Sequence, residues 1–233
     1  MTARTPREAP AAPLVDLRGV GVRYRGAAAA ALAGVHLNVG HGELVTISGP
    51  AGSGKSTLLG VIGLLLRPTS GSYLLNGLDT AALGDRERAA FRCRQIGCVL
   101  QRPQLLPARS ALDNVLLPVL YSGLPRQRRR IAALDALDRV GLAGAAHVAA
   151  GDLAAGEQQR TAIARAIVTG PSLLLCDDPT ASLDDAAAAQ VIGLLVGLRR
   201  DGRTVLVATG DQLAAAHSSR TLAVGAMIQG AGR

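Results

Sequence analysis

Apolar and polar positions follow two rhythms along this chain. Short runs rich in Val, Leu and Ile read as strands: Val15–Val22 and Val35–Val39, predicted as an opening antiparallel pair, then Glu43–Ser48 and Ile96–Leu100. Ser72–Leu75, after a Pro68–Gly71 turn, Ser172–Cys176 and Thr204–Ala208 extend the set. Segments of helical period separate them: Thr57–Leu66, Ala111 to about Val140, Gly156–Val168 and Asp184–Leu198. Within the second of these, Ile131, Leu134, Leu137 and Val140 are predicted to line one face. Such alternation buries a largely parallel sheet under helices. The expected fold is α/β: a parallel-sheet core, an antiparallel β-subdomain and a helical insertion at about 103–165.

Composition narrows this picture. Aromatic residues make up only 2% of the 233, so the core must be built from Leu, Val, Ile and Ala. Residues 1–12, rich in Ala, Pro, Thr and Arg, read as a flexible tail without the apolar stretch of a secretory signal. One domain is expected over 13–230. The longest apolar candidate, Leu58–Leu66, is interrupted by Gly60 and Gly63 and stops at Arg67, too short for a membrane span. Cys93, Cys98 and Cys176 lack zinc-ligand spacing and read as reduced thiols of a cytosolic protein. The formal charge of +8 raises nucleic acid as a partner. Apart from Arg126-Gln127-Arg128-Arg129-Arg130, however, the arginines are scattered, and base-stacking aromatics are scarce; no nucleic-acid partner is expected. Anionic lipid headgroups are the second reading of that basic surface.

All but one of the 25 basic residues are arginine. The single lysine, Lys55, stands in Gly49-Pro50-Ala51-Gly52-Ser53-Gly54-Lys55-Ser56-Thr57, between an apolar strand and a helical run. That spacing in that context is the phosphate-binding loop, or Walker A, pattern. Its glycines let successive N–H groups face one cavity, and the following helix N-terminus adds positive partial charge. Lys55 is expected to reach the β- and γ-phosphates, where a compact ammonium on a flexible stem suits better than a planar guanidinium. Ser56 is expected to ligate Mg²⁺. Downstream, Leu173–Cys176 runs into Asp177-Asp178-Pro179-Thr180. Asp177 is expected to hold the Mg²⁺ shell and Asp178 to approach an attacking water. The chain is thus expected to bind a nucleoside triphosphate with Mg²⁺.

With both halves of that site in view, residues 13 to 228 resemble the ATP-binding subunits of ABC transporters, P-loop NTPases in fold. Leu153-Ala154-Ala155-Gly156-Glu157-Gln158-Gln159-Arg160 resembles the signature segment LSGGEQQR, and Thr180–Asp184 the D-loop. Gln101 matches the Q-loop glutamine, which the resemblance assigns to the Mg²⁺ shell and the attacking water. Tyr24, 25 residues before Gly49, falls where an aromatic ring meets adenine. The segment from Leu105 to Gly123 is similar to the lipoprotein-release and macrolide-export branch. The resemblance implies ATP as the nucleotide and a head-to-tail homodimer or heterodimer, with Gly156 and Glu157 opening the signature helix toward the partner's γ-phosphate. It also implies integral-membrane permease partners and a place on the cytoplasmic face of the cell membrane.

Four positions depart from the family pattern. Ala154 replaces the signature serine, Ala155 a glycine, Asp178 the catalytic glutamate and Gly210 the switch histidine. Each lost donor at developing charge is worth about 3 kcal/mol, or about 10²-fold in rate. The expectation is therefore an ATPase that binds well and hydrolyses slowly, since the phosphate-loop groups are all present. The alternative is an ATP-responsive regulatory subunit that signals through a membrane partner without transport.

Overall fold

The computed structural model describes residues 12–225. The tail expected over 1–12 therefore lies outside the described residues except for Ala12, as do positions 226–230 of the expected domain. Nine strands and seven α-helices follow one another among the described residues. The order is β1 (Val15–Val22), β2 (Leu32–Val39), β3 (Leu44–Ser48), α1 (Lys55–Ile62), β4 (Ser70–Leu75), β5 (Leu78–Asp79), α2 (Asp85–Gln95) and β6 (Ile96–Val99). Then come α3 (Ala111–Val119), α4 (Arg126–Arg139), α5 (Ala155–Ile167), β7 (Leu173–Asp177), α6 (Asp185–Arg200), β8 (Thr204–Ala208), α7 (Gln212–His217) and β9 (Arg220–Ala223).

Two sheets result. An antiparallel sheet has the order β2-β1-β4-β5, and an all-parallel sheet the order β6-β7-β8-β3-β9. Strands of the parallel sheet are apolar on both faces because each face is covered. Leu173 and Leu175 of β7 and Leu206 of β8 join the core shared with α1 and the antiparallel sheet. Their neighbours Leu174, Cys176, Val205 and Val207 turn to the opposite core, built with α3, α4, α5 and α6. The period of two along each strand thus feeds two cores at once.

The register matters for the site. Ile47, Ala208 and Asp177 lie side by side on β3, β8 and β7, and Cys176 pairs with Val99 of β6. Four strands therefore end level with one another, and the segments that follow them share one edge of the sheet. In doubly covered parallel sheets that carboxyl edge is where ligands bind.

Several expectations need correcting. The first helix stops at Ile62 rather than Leu66, because Gly63 caps it and Leu64 turns left-handed, with φ 57°. The N–H groups of Leu65 and Leu66 then close back on the Gly60 carbonyl. The stretch expected to be helical from Ala111 to about Val140 is two helices, broken at 120–125, where Gly123 takes φ 81° and Pro125 precedes α4. On α4 the buried stripe is Ala133, Ala136, Leu137 and Val140, and Ile131 is 59% exposed. Ser70 and Gly71, expected in a turn, begin β4, and β2 starts three residues earlier than expected, at Leu32.

Helix α2 escaped the hydrophobic pattern altogether, since Arg88 is its only fully buried residue. Its signal is charge: Asp85 and Glu87 in the first turn, Arg92 and Arg94 in the last, matching the helix dipole. Arg88 donates to the Leu64 and Leu66 carbonyls at 2.9 and 3.0 Å, and Arg92 to Leu64 at 2.9 Å. Those guanidiniums satisfy carbonyls left open beyond the end of α1. The short elements β5, α7 and β9 were also unforeseen.

Candidate nucleotide-binding site

The loop between β3 and α1 has the backbone the sequence calls for. Gly49, Gly52 and Gly54 take φ of 152°, 76° and 96°, which L side chains rarely adopt. Gly54 caps α1 in left-handed conformation, and a Cβ there would meet the Ala31 carbonyl at 2.6 Å. The Lys55 Nζ folds over the loop, donating to the carbonyls of Gly49 at 2.7 Å and Pro50 at 3.0 Å. Pro50, Ala51, Gly52 and Ser56 are exposed; Gly49, Ser53, Gly54, Lys55 and Thr57 are half-buried. Beneath the loop the Ser53 hydroxyl is buried without a hydrogen-bond partner. An ammonium resting on carbonyls and an unpaired hydroxyl form a donor set suited to an incoming polyanion.

Tyr24 follows β1 and lies 45% exposed. Its hydroxyl sits 3.1 Å from Thr57 Oγ1, tying the antiparallel sheet to the first turn of α1. The ring is thereby held beside the loop, as a base platform would be.

Asp177 closes β7, two strands from β3, about 10 Å away at the usual strand spacing. Ser56 begins α1 after the loop. Among the described residues no group of three or more His, Cys, Asp or Glu could hold a metal. One carboxylate and one hydroxyl suit an ion that takes its other ligands from phosphate and water, as Mg²⁺ does. Where bound, that ion would neutralise phosphate charge, held by Ser56 and Asp177.

Asp178 is left-handed, with φ 45°, a conformation aspartate tolerates better than most residues. Its N–H donates to the Ala208 carbonyl at 2.7 Å, and its Oδ1 accepts from the Thr209 hydroxyl at 2.8 Å. Two residues on, the Thr180 hydroxyl donates to Asp211 Oδ2 at 2.8 Å. Asp211 Oδ1 caps α7 through the Leu213 N–H. Thr180 and Thr209 are 6% and 1% exposed. Nothing in the sequence pattern pointed to this cross-tie between the loops after β7 and β8. Only the register of the two strands would have raised it, and the register is not legible from composition.

Helix α5 begins at Ala155 with Ala154 as its N-cap. Alanine has no oxygen to receive the first amides, so only the reverse half of a capping box exists: the Ala154 N–H donates to Glu157 Oε2 at 3.0 Å. Gly156 has a packing role here, for a Cβ would meet the Ala187 Cβ at 2.9 Å. Exposed Gln101 lines a cleft of about 370 Å³ together with Ala155, Gln158, Gln159, Pro179 and Ser182. The structure thus brings Gln101, the start of α5 and the segment after Thr180 to one cleft. Gln159 is 2% exposed there, and its Nε2 is unpaired. A larger cleft of about 530 Å³ between α4, α5 and α6 contains none of the expected site residues.

Burial pushes the Cys98 thiol up to about 11 and the Cys176 thiol higher still, so neither is a nucleophile at neutral pH.

The comparisons with known proteins agree with this geometry. The ABC transporter family pattern matches residues 32–181. The macrolide export ATP-binding/permease protein MacB 1/2 of Paracoccus denitrificans is 42% identical over 215 residues, 91% of this chain but 32% of the relative. The chain therefore spans about a third of that relative's length. The lipoprotein-releasing system ATP-binding protein LolD of Hyphomonas neptunium is 42% identical over 213 residues, 90% of this chain and 93% of the relative. Among solved structures, a dimeric ATP-binding cassette in a post-hydrolysis state with ADP and Pi superposes with a TM-score of 0.82 at 38% identity, covering 90% of this chain and 93% of that one. The family pattern over residues 32–181, with a relative 42% identical over 90% of this chain, places this protein in the ABC transporter family.

Proposed function

We propose that this chain binds Mg²⁺-ATP in its phosphate loop, closes head to tail on a second ATP-binding subunit, and hydrolyses the nucleotide slowly. The observation that carries the reading is the contrast within one sheet edge. The loop after β3 retains every binding group, whereas the loops after β7 and β8 carry Asp178 and Gly210.

In this reading Lys55, the loop amides and Thr57 grip the triphosphate, Tyr24 meets the base, and Ser56, Asp177 and Gln101 complete the Mg²⁺ shell. Asp178, with Gln101, orients the attacking water. Gly156 and Glu157 open α5 toward the nucleotide of the partner subunit, since helix N-termini attract anions. Asp178 and Gly210 weaken the site on the chain's own loop, and Ala154 and Ala155 the site on its partner's loop. Every composite site then contains a defective half, even opposite a fully equipped partner.

The coupled partner in this proposal is an integral-membrane permease, with the chain at the cytoplasmic face. No helix among the described residues is long and apolar enough to cross a membrane. The test is sedimentation velocity of the purified chain with and without Mg²⁺-ATP. The reading expects a monomer to become a dimer that persists for many minutes, and expects Lys55→Ala to stay monomeric. A monomer at saturating ATP, or a dimer indifferent to both nucleotide and Lys55, contradicts it.

A further inference from the structure

We propose that Thr209 is the positioning residue for Asp178: its buried hydroxyl turns one carboxylate oxygen away and leaves the other to receive the proton of the attacking water. The inference rests on the reading that Asp178 acts on that water.

The direction of each hydrogen bond follows from donor and acceptor inventory. The Asp211 N–H donates to Thr209 Oγ1 at 3.0 Å, so that oxygen is already an acceptor. Its single proton is then free for Asp178 Oδ1, 2.8 Å away. Among the described residues Asp178 Oδ2 has no hydrogen-bond partner, and it is not among the buried unpaired atoms, so it is not sealed from solvent. With Thr209 1% exposed, no bulk water replaces its hydroxyl.

Both ends of this contact are fixed. The Thr209 N–H donates to Ile47 of β3 at 3.1 Å, one residue before Ser48 ends that strand. Asp178 is fixed through its N–H on Ala208. The second tie, Thr180 to Asp211, braces the same pair of loops. Thr209 therefore links the start of the phosphate loop to the base, at a place where Gly210 supplies no side chain. In hydrolysis the water oxygen bonds to the γ-phosphorus as the bond to the ADP oxygen breaks, and the water proton passes to Asp178 Oδ2. Thr209 touches neither nucleotide nor water in this arrangement.

The test is single-turnover hydrolysis of γ-labelled ATP with the full chain in excess, beside ATP affinity, for native protein, Thr209→Val, Thr209→Ser and Asp178→Asn. We expect Thr209→Val to slow hydrolysis about tenfold while affinity stays within about twofold, and Thr209→Ser to recover most of the rate. We expect Thr209→Val to add nothing in the Asp178→Asn background. Thr209→Ala serves the same purpose if the valine variant does not fold. Equal rates for native and Thr209→Val, equal losses in the valine and serine variants, an undiminished loss on top of Asp178→Asn, or an Asp178→Asn rate equal to native would each overturn the proposal. Fast native hydrolysis with the valine and serine split intact would instead sink slow turnover and leave the role of Thr209 standing.

Discussion

The loop after β3 and the loops after β7 and β8 share one edge of one sheet, but they differ in what they retain. The first keeps its glycines in left-handed conformations, its lysine on two carbonyls and an unpaired buried hydroxyl beneath. The others keep Asp177 but carry Asp178 and Gly210, and α5 starts on an alanine without a side-chain cap. Binding needs a static cradle of donors, whereas hydrolysis needs several groups placed together when charge develops. In the proposed reading, the comparison teaches that the two functions rest on separate loops and can be lost separately.

The largest expected effect sharpens that contrast. Asp178→Glu, Gly210→His, Ala154→Ser and Ala155→Gly together should raise ATP turnover by about 10²-fold or more, with affinity changed less than about threefold. An unchanged rate in steady-state phosphate release would mean that the missing groups are not what limits this site. On the complete loop, Lys55→Ala should cost about 100-fold in ATP affinity by calorimetry, the scale of a lost charge-assisted contact. Gly54→Ala should lower stability by about 2–3 kcal/mol in denaturant unfolding, because φ of 96° and the Ala31 carbonyl at 2.6 Å both oppose a side chain.

Smaller effects probe the weaker half. Ala154→Ser alone should stabilise the nucleotide-free chain by about 1 kcal/mol, since it gives α5 the cap it lacks. A melting temperature unmoved by that change would mean that the α5 amides already have partners. Least of all, brief alkylation at pH 7.5 should modify only half-buried Cys93. Cys176 is fully buried, and burial pushes the Cys98 thiol up to about 11, so little of it is thiolate at pH 7.5. Mass spectrometry of the labelled peptides reads this directly.

How much of this was legible in advance follows the physics of each element. The central strands announced themselves as apolar runs, and the parallel sheet followed from their alternation with helices. The phosphate loop was legible because its chemistry is local: glycines, lysine and serine within nine residues. Helix α2 stayed hidden because its signal is charge rather than periodicity. Ile131 misled because apolar identity alone does not say which side chain a buried stripe begins on: Leu137 and Val140 are buried as expected, but Ala133 and Ala136 complete the stripe in place of Ile131 and Leu134. The ties of Asp178 to Thr209 and of Thr180 to Asp211 span 31 residues each and depend on strand register, which no local pattern encodes.

The central claim, grip without fast chemistry, is tested most directly by measuring Mg²⁺-ATP affinity and turnover on one preparation of the native chain. The account predicts micromolar or tighter binding with turnover below about 0.1 per second, against about 10 per second for a typical enzyme. Turnover of several per second, or binding too weak to saturate at millimolar ATP, would contradict it.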